Sequence, residues 1–249
     1  MGVIAGTQHI IDTQFTGAYL ASNPAHATLS VSPFDDELLH AVSRMEEVGA
    51  ASARFALSVK VQSPADGRWQ DLNLLARPAW SDLPVNRLRP EQGAWPPPLN
   101  GIVLERDSLP LLNAQIGDTV TLDLGNGRLR EVQIAGTVHD INLPPARFVD
   151  QLYGYTSFDT LNRWGYRRQF SSLLLTVAAQ ADNKTHIEAV ARQVQDKIEK
   201  GGGQVFSTTV PDPGQTPVQE ILDALFVILG VLGVLSLLLS GFLVVNTVN

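Results

Sequence analysis

An uncharged apolar run from Ala224 to Val245 constrains this chain more strongly than any other feature of its sequence. As a helix rising 1.5 Å per residue, the run would be about 33 Å long, which matches the roughly 30 Å of a bilayer's hydrocarbon core. The alternative is a helix buried in a large soluble core, but such helices are usually shorter and carry a polar face. The run therefore predicts a transmembrane helix within residues 224–249, and its position near the carboxyl end excludes a signal peptide.

Small residues recur along one face of this predicted helix. Gly230, Gly233, Ser236 and Ser240 follow one another at steps of three and four residues. In lipid, where the hydrophobic effect does not drive helices together, small residues let two helix backbones approach closely. Chance is the alternative, because glycine and serine are common in membrane helices. We interpret the four residues as a helix-packing site for a partner helix.

The charge balance and the absence of cysteine exclude several classes of partner and site. The formal net charge is -7 and no cluster of Lys and Arg occurs, so the sequence supports neither a nucleic-acid-binding nor an anionic-lipid-binding surface. Without cysteine the chain has no disulfide framework, no thiolate zinc site and no thiol nucleophile. We therefore expect no nucleic-acid partner.

Two helices have clear boundaries in the sequence. For the first, Ser32 is the expected N-cap, Pro33 occupies the first helical position and Gly49 is the expected stop. The second is expected from about Asn183 to Lys200, with lysines in its last turn and Gly201 beyond them. Apolar stripes at helical spacing are Leu38, Val42 and Met45 in the first helix, and Ile187, Val190, Val194 and Ile198 in the second.

Strand-like runs flank both predicted helices and fill the stretch between them. The flanking runs are Ala27–Val31 and Phe55–Val61 around the first helix, and Leu173–Val177 and Gln204–Thr208 around the second. Neither βαβ unit has enough strands to bury its helix alone, so we expect the two units to share one sheet with both helices on one face. The insertion between them is mostly β, with a strand over Trp69–Ala76 that is expected to pair with Phe55–Val61, and a hairpin around Gly125–Gly127.

The sequence therefore predicts an α+β fold. It combines a split βαβ/βαβ sheet-and-helix subdomain with an inserted β-rich subdomain and a C-terminal transmembrane helix. The apolar stretch Gly2–Gly6 is too short to cross a membrane, and we interpret it as the stump of an earlier helix, with a frayed terminus as the alternative. The predicted divisions are residues 1–22 as the end of a preceding membrane helix or a pre-helix, 23–62 and 171–210 as the sheet-and-helix subdomain, 63–170 as the insertion, 211–223 as a Pro-rich connector and 224–249 as the transmembrane helix.

No catalytic, metal or cofactor motif is recognisable in the sequence. The five histidines show no metal-ligand spacing, and no nucleotide-binding glycine loop or serine nucleophile elbow occurs. His139 and Asp140, at the end of a predicted strand, are the best acid/base candidates. Sequence neighbours on a strand point to opposite faces, however, so we expect a turn-stabilising or interface role. We predict that the chain is not an enzyme.

The order of these parts resembles that of a known family of membrane proteins. Four runs carry the resemblance: Gly101–Glu105, Ile116–Val120, Ile134–Asp140 and Phe242–Thr247. Together with the two βαβ units and the apolar helix, they make the chain similar to an FtsX-like ABC transporter permease with a MacB-like periplasmic core domain. The split βαβ pair would be the family's porter-like subdomain, and the insertion its second subdomain.

The resemblance implies that the chain couples ATP-driven motion of membrane helices to an event outside the membrane, and that it does not catalyse a reaction itself. Such permeases have four membrane helices, form homo- or heterodimers, and work with an ATPase subunit that binds ATP and Mg. Residues 1–249 would then be a fragment that holds the exterior domain and the second membrane helix. The domain would lie on the extracytoplasmic side of the cell membrane and pass ATP-driven motion to a lipid, lipoprotein, exported molecule or partner protein outside.

Two alternatives from other classes remain open in the sequence. One is a membrane-anchored extracellular sensor or binding module that works without an ATPase. The other is an anchored hydrolase built around His139 and Asp140. An ATPase gene beside this one would favour the transporter, whereas convergence of the two side chains in a water-accessible pocket would favour the hydrolase.

Overall fold

The computed structural model describes residues 17–217, 219, 224–225 and 227–236, which belong to two compact units, Met1–Gly214 and Gln215–Asn249. The strands of the first unit are β1 (Ala27–Phe34), β2 (Val48–Gln62), β3 (Trp69–Ala76), β4 (Arg89–Gly93), β5 (Gly101–Glu105), β6 (Thr119–Asp123), β7 (Leu129–His139), β8 (Leu152–Tyr155), β9 (Phe170–Val177) and β10 (Val205–Thr209). Among its described residues, 17–21 are helical, and the helices that follow are α1 (Asp36–Ser43), α2 (Ser108–Leu111), α3 (Ala146–Val149), α4 (Phe158–Arg163) and α5 (Lys184–Lys200). The predicted helix stump Gly2–Gly6 lies outside the described residues.

The two predicted βαβ units do share one sheet. Its order is β10-β1-β9-β2, and every neighbouring pair is antiparallel. Helices α1 and α5 pack into a single apolar core with this sheet, and the predicted stripe of α5 is buried throughout. We call this part the sheet-and-helix subdomain. The α+β, split βαβ architecture predicted from the sequence is confirmed for it.

Helix α5 has the predicted caps, whereas α1 begins later than predicted. Asn183 caps α5 by accepting a hydrogen bond from the amide of His186, and Gly201 follows the last turn. The N-cap of α1 is Asp35 rather than Ser32, because its carboxylate accepts from the amides of Glu37 and Leu38 while Ser32 continues β1. An acidic residue near a helix start is compatible with both positions, so the sequence pattern did not separate them.

Gly49 does not end α1 as predicted but lies one residue inside β2. A Cβ atom at this position would be 2.8 Å from the carbonyl oxygen of Val177 on the neighbouring strand. The glycine is therefore needed for the close approach of two strands, a role that a sequence pattern does not distinguish from a helix stop.

The insertion forms a closed β-barrel. Together with β2, its strands pair in the cycle β2-β3-β8-β5-β7-β6 and back to β2. Strand β4 pairs with the last part of β7, beyond the part that pairs with β6. The predicted strand Trp69–Ala76 and the hairpin of β6 with β7 are confirmed. Alternate side chains fill the interior: Val59, Val61, Leu72, Leu74, Ile102, Leu104, Val120, Leu122, Val132, Ile134 and Leu152. Closure leaves this part with its own dry core.

Strand β2 is common to both subdomains. Its first part, Val48–Arg54, pairs with β9, and its second part, Phe55–Gln62, pairs with β3. The alternating run Phe55–Val61 therefore lies in the barrel wall, and the strand of the shared sheet comes just before it. The predicted pairing of Phe55–Val61 with Trp69–Ala76 is confirmed. Its predicted place as a strand of the shared sheet beside the first helix is wrong, because alternation indicates a half-buried strand but not which core covers it.

Residues 17–214 expressed alone should fold without detergent, because both apolar cores are formed by residues of this unit. We expect a monomer by light scattering and one cooperative thermal transition by circular dichroism. A variant with Leu72→Asp, which places a charge in the barrel core, is the control and should not fold. Aggregation of the unsubstituted piece whenever detergent is absent would contradict this domain division.

Candidate functional site

His139 and Asp140 lie side by side at the end of β7 but have separate partners. His139 Nδ1 is 3.3 Å from Glu105 Oε1. Asp140 accepts hydrogen bonds from the Tyr155 hydroxyl at 2.6 Å and from both the backbone and side-chain nitrogens of Asn142. Within the part of the chain that the structure describes, no hydrogen bond joins His139 to Asp140. The two residues therefore do not form an acid/base pair in this structure.

Asp140 belongs instead to a buried polar cluster with Arg77 and Tyr155. The three residues are 6%, 4% and 0% exposed, respectively. Burial lowers the pKa of Arg77, and the negative charge of Asp140 opposes that shift. Burial raises the pKa of Tyr155 well above its usual value, and Asp140 raises it further. Tyr155 thus stays protonated and donates to Asp140, and the carboxylate of Asp140 offsets part of the cost of burying the Arg77 guanidinium.

Arg77 ties the end of β3 to the loop that follows it and to the shared sheet. Its guanidinium donates to the carbonyl oxygens of Val85 and Asn86, both at 2.9 Å, and lies 3.4 Å from the Ser52 hydroxyl on β2. Among the described residues its Nε has no hydrogen-bond partner. Removing this side chain would leave two buried carbonyl oxygens without donors, so the cluster depends on it.

The chain reaches the first strand through residues 17–26, which we call the entry segment, and this segment contacts the cluster from one side. Ser22 Oγ is 3.1 Å from Asn142 Oδ1, and Asn142 in turn donates to Asp140. The Ser22 carbonyl accepts from the amide of Arg87 at 2.7 Å. One short route of polar contacts therefore runs from the entry segment to Asp140.

A second route runs from the entry segment to Arg77. The amide of Ala25 donates to the Asn86 side chain at 2.7 Å, and the amide of Asn86 donates to the Asn23 carbonyl at 2.9 Å. Asn86 also accepts from Arg77 through its own carbonyl. The entry segment is thus fixed to both charged members of the cluster through the loop after β3 and the turn after β7.

The chain leaves the domain beside the point at which it enters. Strands β1 and β10 are antiparallel neighbours, and Thr28 pairs with Thr209. Residues 210–214, the exit segment, are held by an ion pair between Lys184 and Asp212. A cavity of about 300 Å³ lies between the two segments, lined by Tyr19, Leu20, Pro24 and His26 on the entry side and Pro211–Gly214 on the exit side.

The predicted helix-packing residues fall only partly within the structure. Gly230, Gly233 and Ser236 lie in a helix over residues 227–236, whereas Ser240 is outside the described residues. Among the described residues, no atom lies within 4 Å of a Cβ built at Gly230 or Gly233, so this part of the helix leaves these positions open. Among the described residues, no helix combines the length and apolar character that a membrane crossing requires. The packing role stays a prediction.

Sequence reasoning identified Asp140 but not the other members of the cluster. Arg77 is far from the other two in the sequence, Tyr155 follows Asp140 by 15 residues, and no motif joins the three. The one available signal is Arg77 itself, a cation that directly follows the apolar end of a strand, where a buried charge requires partners. The described residues include no group of three His, Asp or Glu side chains placed to hold a metal ion.

Comparison with known proteins gives matches at the level of structure. The sequence matches no protein-family model and no curated protein. The structure is similar to that of the periplasmic region of MacB from Actinobacillus actinomycetemcomitans, with 12% identity, a TM-score of 0.46 and coverage of 73% of this chain and 87% of that one. It is also similar to the extracellular domain of the noncanonical ABC-type transporter YknZ from Gram-positive bacteria, with 14% identity, a TM-score of 0.47 and coverage of 72% and 100%.

One of these structures is a periplasmic region and the other an extracellular domain. The family that the sequence resembles has a domain of this general kind. At such identities and TM-scores, neither likeness assigns a function to this chain. The FtsX-like assignment, the membrane helix and the prediction that the chain is not an enzyme therefore stay predictions, and the geometry of the chain itself has to support any function.

Replacing Arg77 with Met should lower the free energy of unfolding by about 2–4 kcal/mol, because the Val85 and Asn86 carbonyl oxygens lose their donors and Asp140 loses its nearby cation. Urea unfolding followed by fluorescence measures the change. Arg167→Met, at an exposed arginine, is the matched control and should change stability by less than about 0.5 kcal/mol. Equal effects of the two substitutions would show that the cluster contributes nothing specific.

Stability should fall as the pH falls through the region below the ordinary histidine pKa of 6.5, because burial lowers the pKa of His26 in the folded chain. His26 Nδ1 accepts a hydrogen bond from the amide of Val177 at 3.1 Å, which requires the neutral ring. The unfolded chain therefore binds a proton at His26 more readily than the folded chain does. Urea midpoints between about pH 5 and 8 should show a weaker pH dependence for His26→Gln, whereas His40→Gln, at an exposed position, should behave like the parent. An unchanged slope in His26→Gln would contradict this role.

Proposed function

We propose that this chain is the extracytoplasmic domain of an ABC transporter permease subunit, and that it couples ATP-driven motion of membrane helices to export, to handling of lipid or lipoprotein, or to a partner outside the membrane. The observation that carries the proposal is the pairing of Thr28 with Thr209. This pairing brings together the points at which the chain enters and leaves the domain. A domain carried between two membrane helices needs this geometry, because both helices start from one membrane surface.

The apolar residues that follow the exit segment supply the second element of the proposal. Every described residue from 227 to 236 is exposed, and the apolar ones are all about half exposed or more, from 49% at Leu235 to 67% at Val227. A helix that is apolar on all sides requires an apolar environment, which a bilayer supplies. We take residues 224–249 as the membrane helix and Gly230, Gly233, Ser236 and Ser240 as its contact with a second helix.

The contacts of the entry segment suggest how motion would pass into the domain. A displacement of this segment acts on Asn142 and Asn86, which are bonded to Asp140 and Arg77. Because breaking hydrogen bonds to buried polar groups is costly, the barrel should follow the segment instead of detaching from it. The prolines at Pro211 and Pro213 make the exit segment semi-rigid as well.

The proposed partners follow from what this chain lacks in sequence and from the resemblance. A separate ATPase subunit would bind ATP and Mg, since no phosphate-binding loop occurs here. A second permease copy would complete the dimer, and a protein or lipid outside the membrane would be acted on. In the competing proposal of an anchored sensor, ligand binding replaces the ATPase, and nucleotide should then have no effect on the domain.

Inserting a flexible segment of about six Gly and Ser residues after Gly214 should uncouple the domain, because a flexible chain does not transmit displacement. The full-length permease is reconstituted with the ATPase encoded beside it and labelled at a cysteine replacing the exposed Arg130. Residues 1–249 contain no cysteine, and any cysteine elsewhere in the permease is first replaced by serine. Pulsed EPR distances between the two copies should shift between ATP and ADP in the parent and stay unchanged in the insertion variant.

The same insertion after Asn126, in the exposed turn between β6 and β7, is the matched control and should leave the nucleotide-dependent shift intact. Distances in the parent that are identical with ATP and ADP, in a complex that still hydrolyses ATP, would contradict the proposed coupling. Failure of the chain to associate with any ATPase would favour the anchored sensor.

A further inference from the structure

Two Asn-Gly dipeptides occur in the sequence, Asn100-Gly101 and Asn126-Gly127. In such a pair the backbone nitrogen of the glycine can attack Cγ of the asparagine side chain, because glycine has no Cβ to shield that nitrogen. Ammonia leaves and a succinimide ring forms. Water then opens the ring at either carbonyl and gives aspartate or isoaspartate, in which the backbone passes through the former side chain. The reaction consumes water alone, so the local structure determines which pair reacts.

The pair Asn126-Gly127 lies in the turn between β6 and β7, where residues 125–128 are all exposed. The carbonyl of Gly125 accepts from the amide of Arg128 at 3.2 Å, which makes Asn126 and Gly127 the central residues of the turn. Within the described part of the chain, neither the Asn126 side chain nor the Gly127 amide takes part in a hydrogen bond. The two reacting groups therefore meet without the loss of an existing interaction of their own.

The backbone of this turn must rotate before the nitrogen reaches Cγ, because Asn126 and Gly127 both have left-handed φ angles, of 55° and 73°. Gly125 and Gly127 flank the asparagine, and no described atom lies within 4 Å of a Cβ built at either glycine. Glycine adopts positive and negative φ about equally readily, and an exposed turn opens at low free energy. The folded chain therefore gives access to the geometry in which the ring forms.

The pair Asn100-Gly101 is held in place by the fold. Gly101 is buried as the first residue of β5, and its amide donates to the carbonyl of Pro98 at 3.1 Å. The amide of Asn100 donates to Thr160 Oγ1 at 3.0 Å. Attack by the Gly101 nitrogen would require the strand to leave its place and lose these hydrogen bonds, which raises the free energy of the reactive conformation.

We propose that Asn126 is a site of spontaneous deamidation and isoaspartate formation, and that the fold protects Asn100 from the same reaction. The product places a new carboxylate near Asp123, which accepts the amide of Gly125 at 2.8 Å. Isoaspartate also lengthens the turn that sets the register of β6 with β7, and β6 pairs with β2 as well. This inference goes beyond the proposed function, because the reaction requires no ATPase, membrane or partner.

The test compares the two asparagines within one chain. The full chain is incubated in detergent micelles at mildly alkaline pH, and samples are digested under acidic conditions, in which the ring forms slowly. Mass spectrometry measures the conversion of each asparagine, and electron-transfer fragmentation distinguishes isoaspartate from aspartate. Asn126 should convert faster than Asn100 by about tenfold or more, with isoaspartate among its products.

The unfolded chain is the matched control. In urea the two dipeptides should convert at similar rates, because the protection of Asn100 is lost. In the folded chain, Asn126→Gln should abolish the change in that peptide, and Gly127→Ala should slow it by about fivefold or more, while the rate at Asn100 stays the same. Similar rates at both asparagines in the folded chain, conversion of Asn126 without isoaspartate, or conversion of Asn126 only after unfolding would overturn the proposal.

Discussion

The antiparallel pairing of β1 with β10 is the constraint on which the rest of this domain depends. It places Thr28 opposite Thr209, although the whole barrel and both long helices lie between them in sequence. The barrel is inserted within the same sheet through β2, one strand that serves two cores. The domain therefore contains a closed barrel while the strands at which the chain enters and leaves stay adjacent, a geometry that suits a domain carried on membrane helices.

The buried cluster of Arg77, Asp140 and Tyr155 links the entry segment to the barrel through hydrogen bonds. Burying a cation and a carboxylate is costly, and the structure compensates it with hydrogen bonds that also involve the entry segment. Separating the entry segment from the barrel would expose or orphan these groups. The cluster thus favours movement of the barrel together with its point of attachment, whereas a purely apolar contact would allow sliding.

Local patterns predicted the elements well but not their long-range partners. The stripe of α5, its caps at Asn183 and Gly201, the β6–β7 hairpin and the sharing of one sheet follow from periodicity and turn chemistry, and all are present. The pairing of Phe55–Val61 with Trp69–Ala76 is present as predicted, but the run lies in the barrel wall and not in the shared sheet, because alternation is the same in both. Arg77 and Tyr155 could not be linked to Asp140 from sequence, since burial and contact between distant residues arise only when the barrel closes.

Cysteine labelling in intact cells tests the central claim most directly, because residues 1–249 contain no cysteine to interfere. Single cysteines replacing Arg130 in the barrel and Asp196 on α5 should react with a membrane-impermeant maleimide from outside, while cysteines replacing Gly230 or Gly233 should react only after the membrane is dissolved. Protection of the barrel and α5 positions until the cells are broken, or free labelling of the glycine positions in intact cells, would contradict an extracytoplasmic domain on a membrane helix.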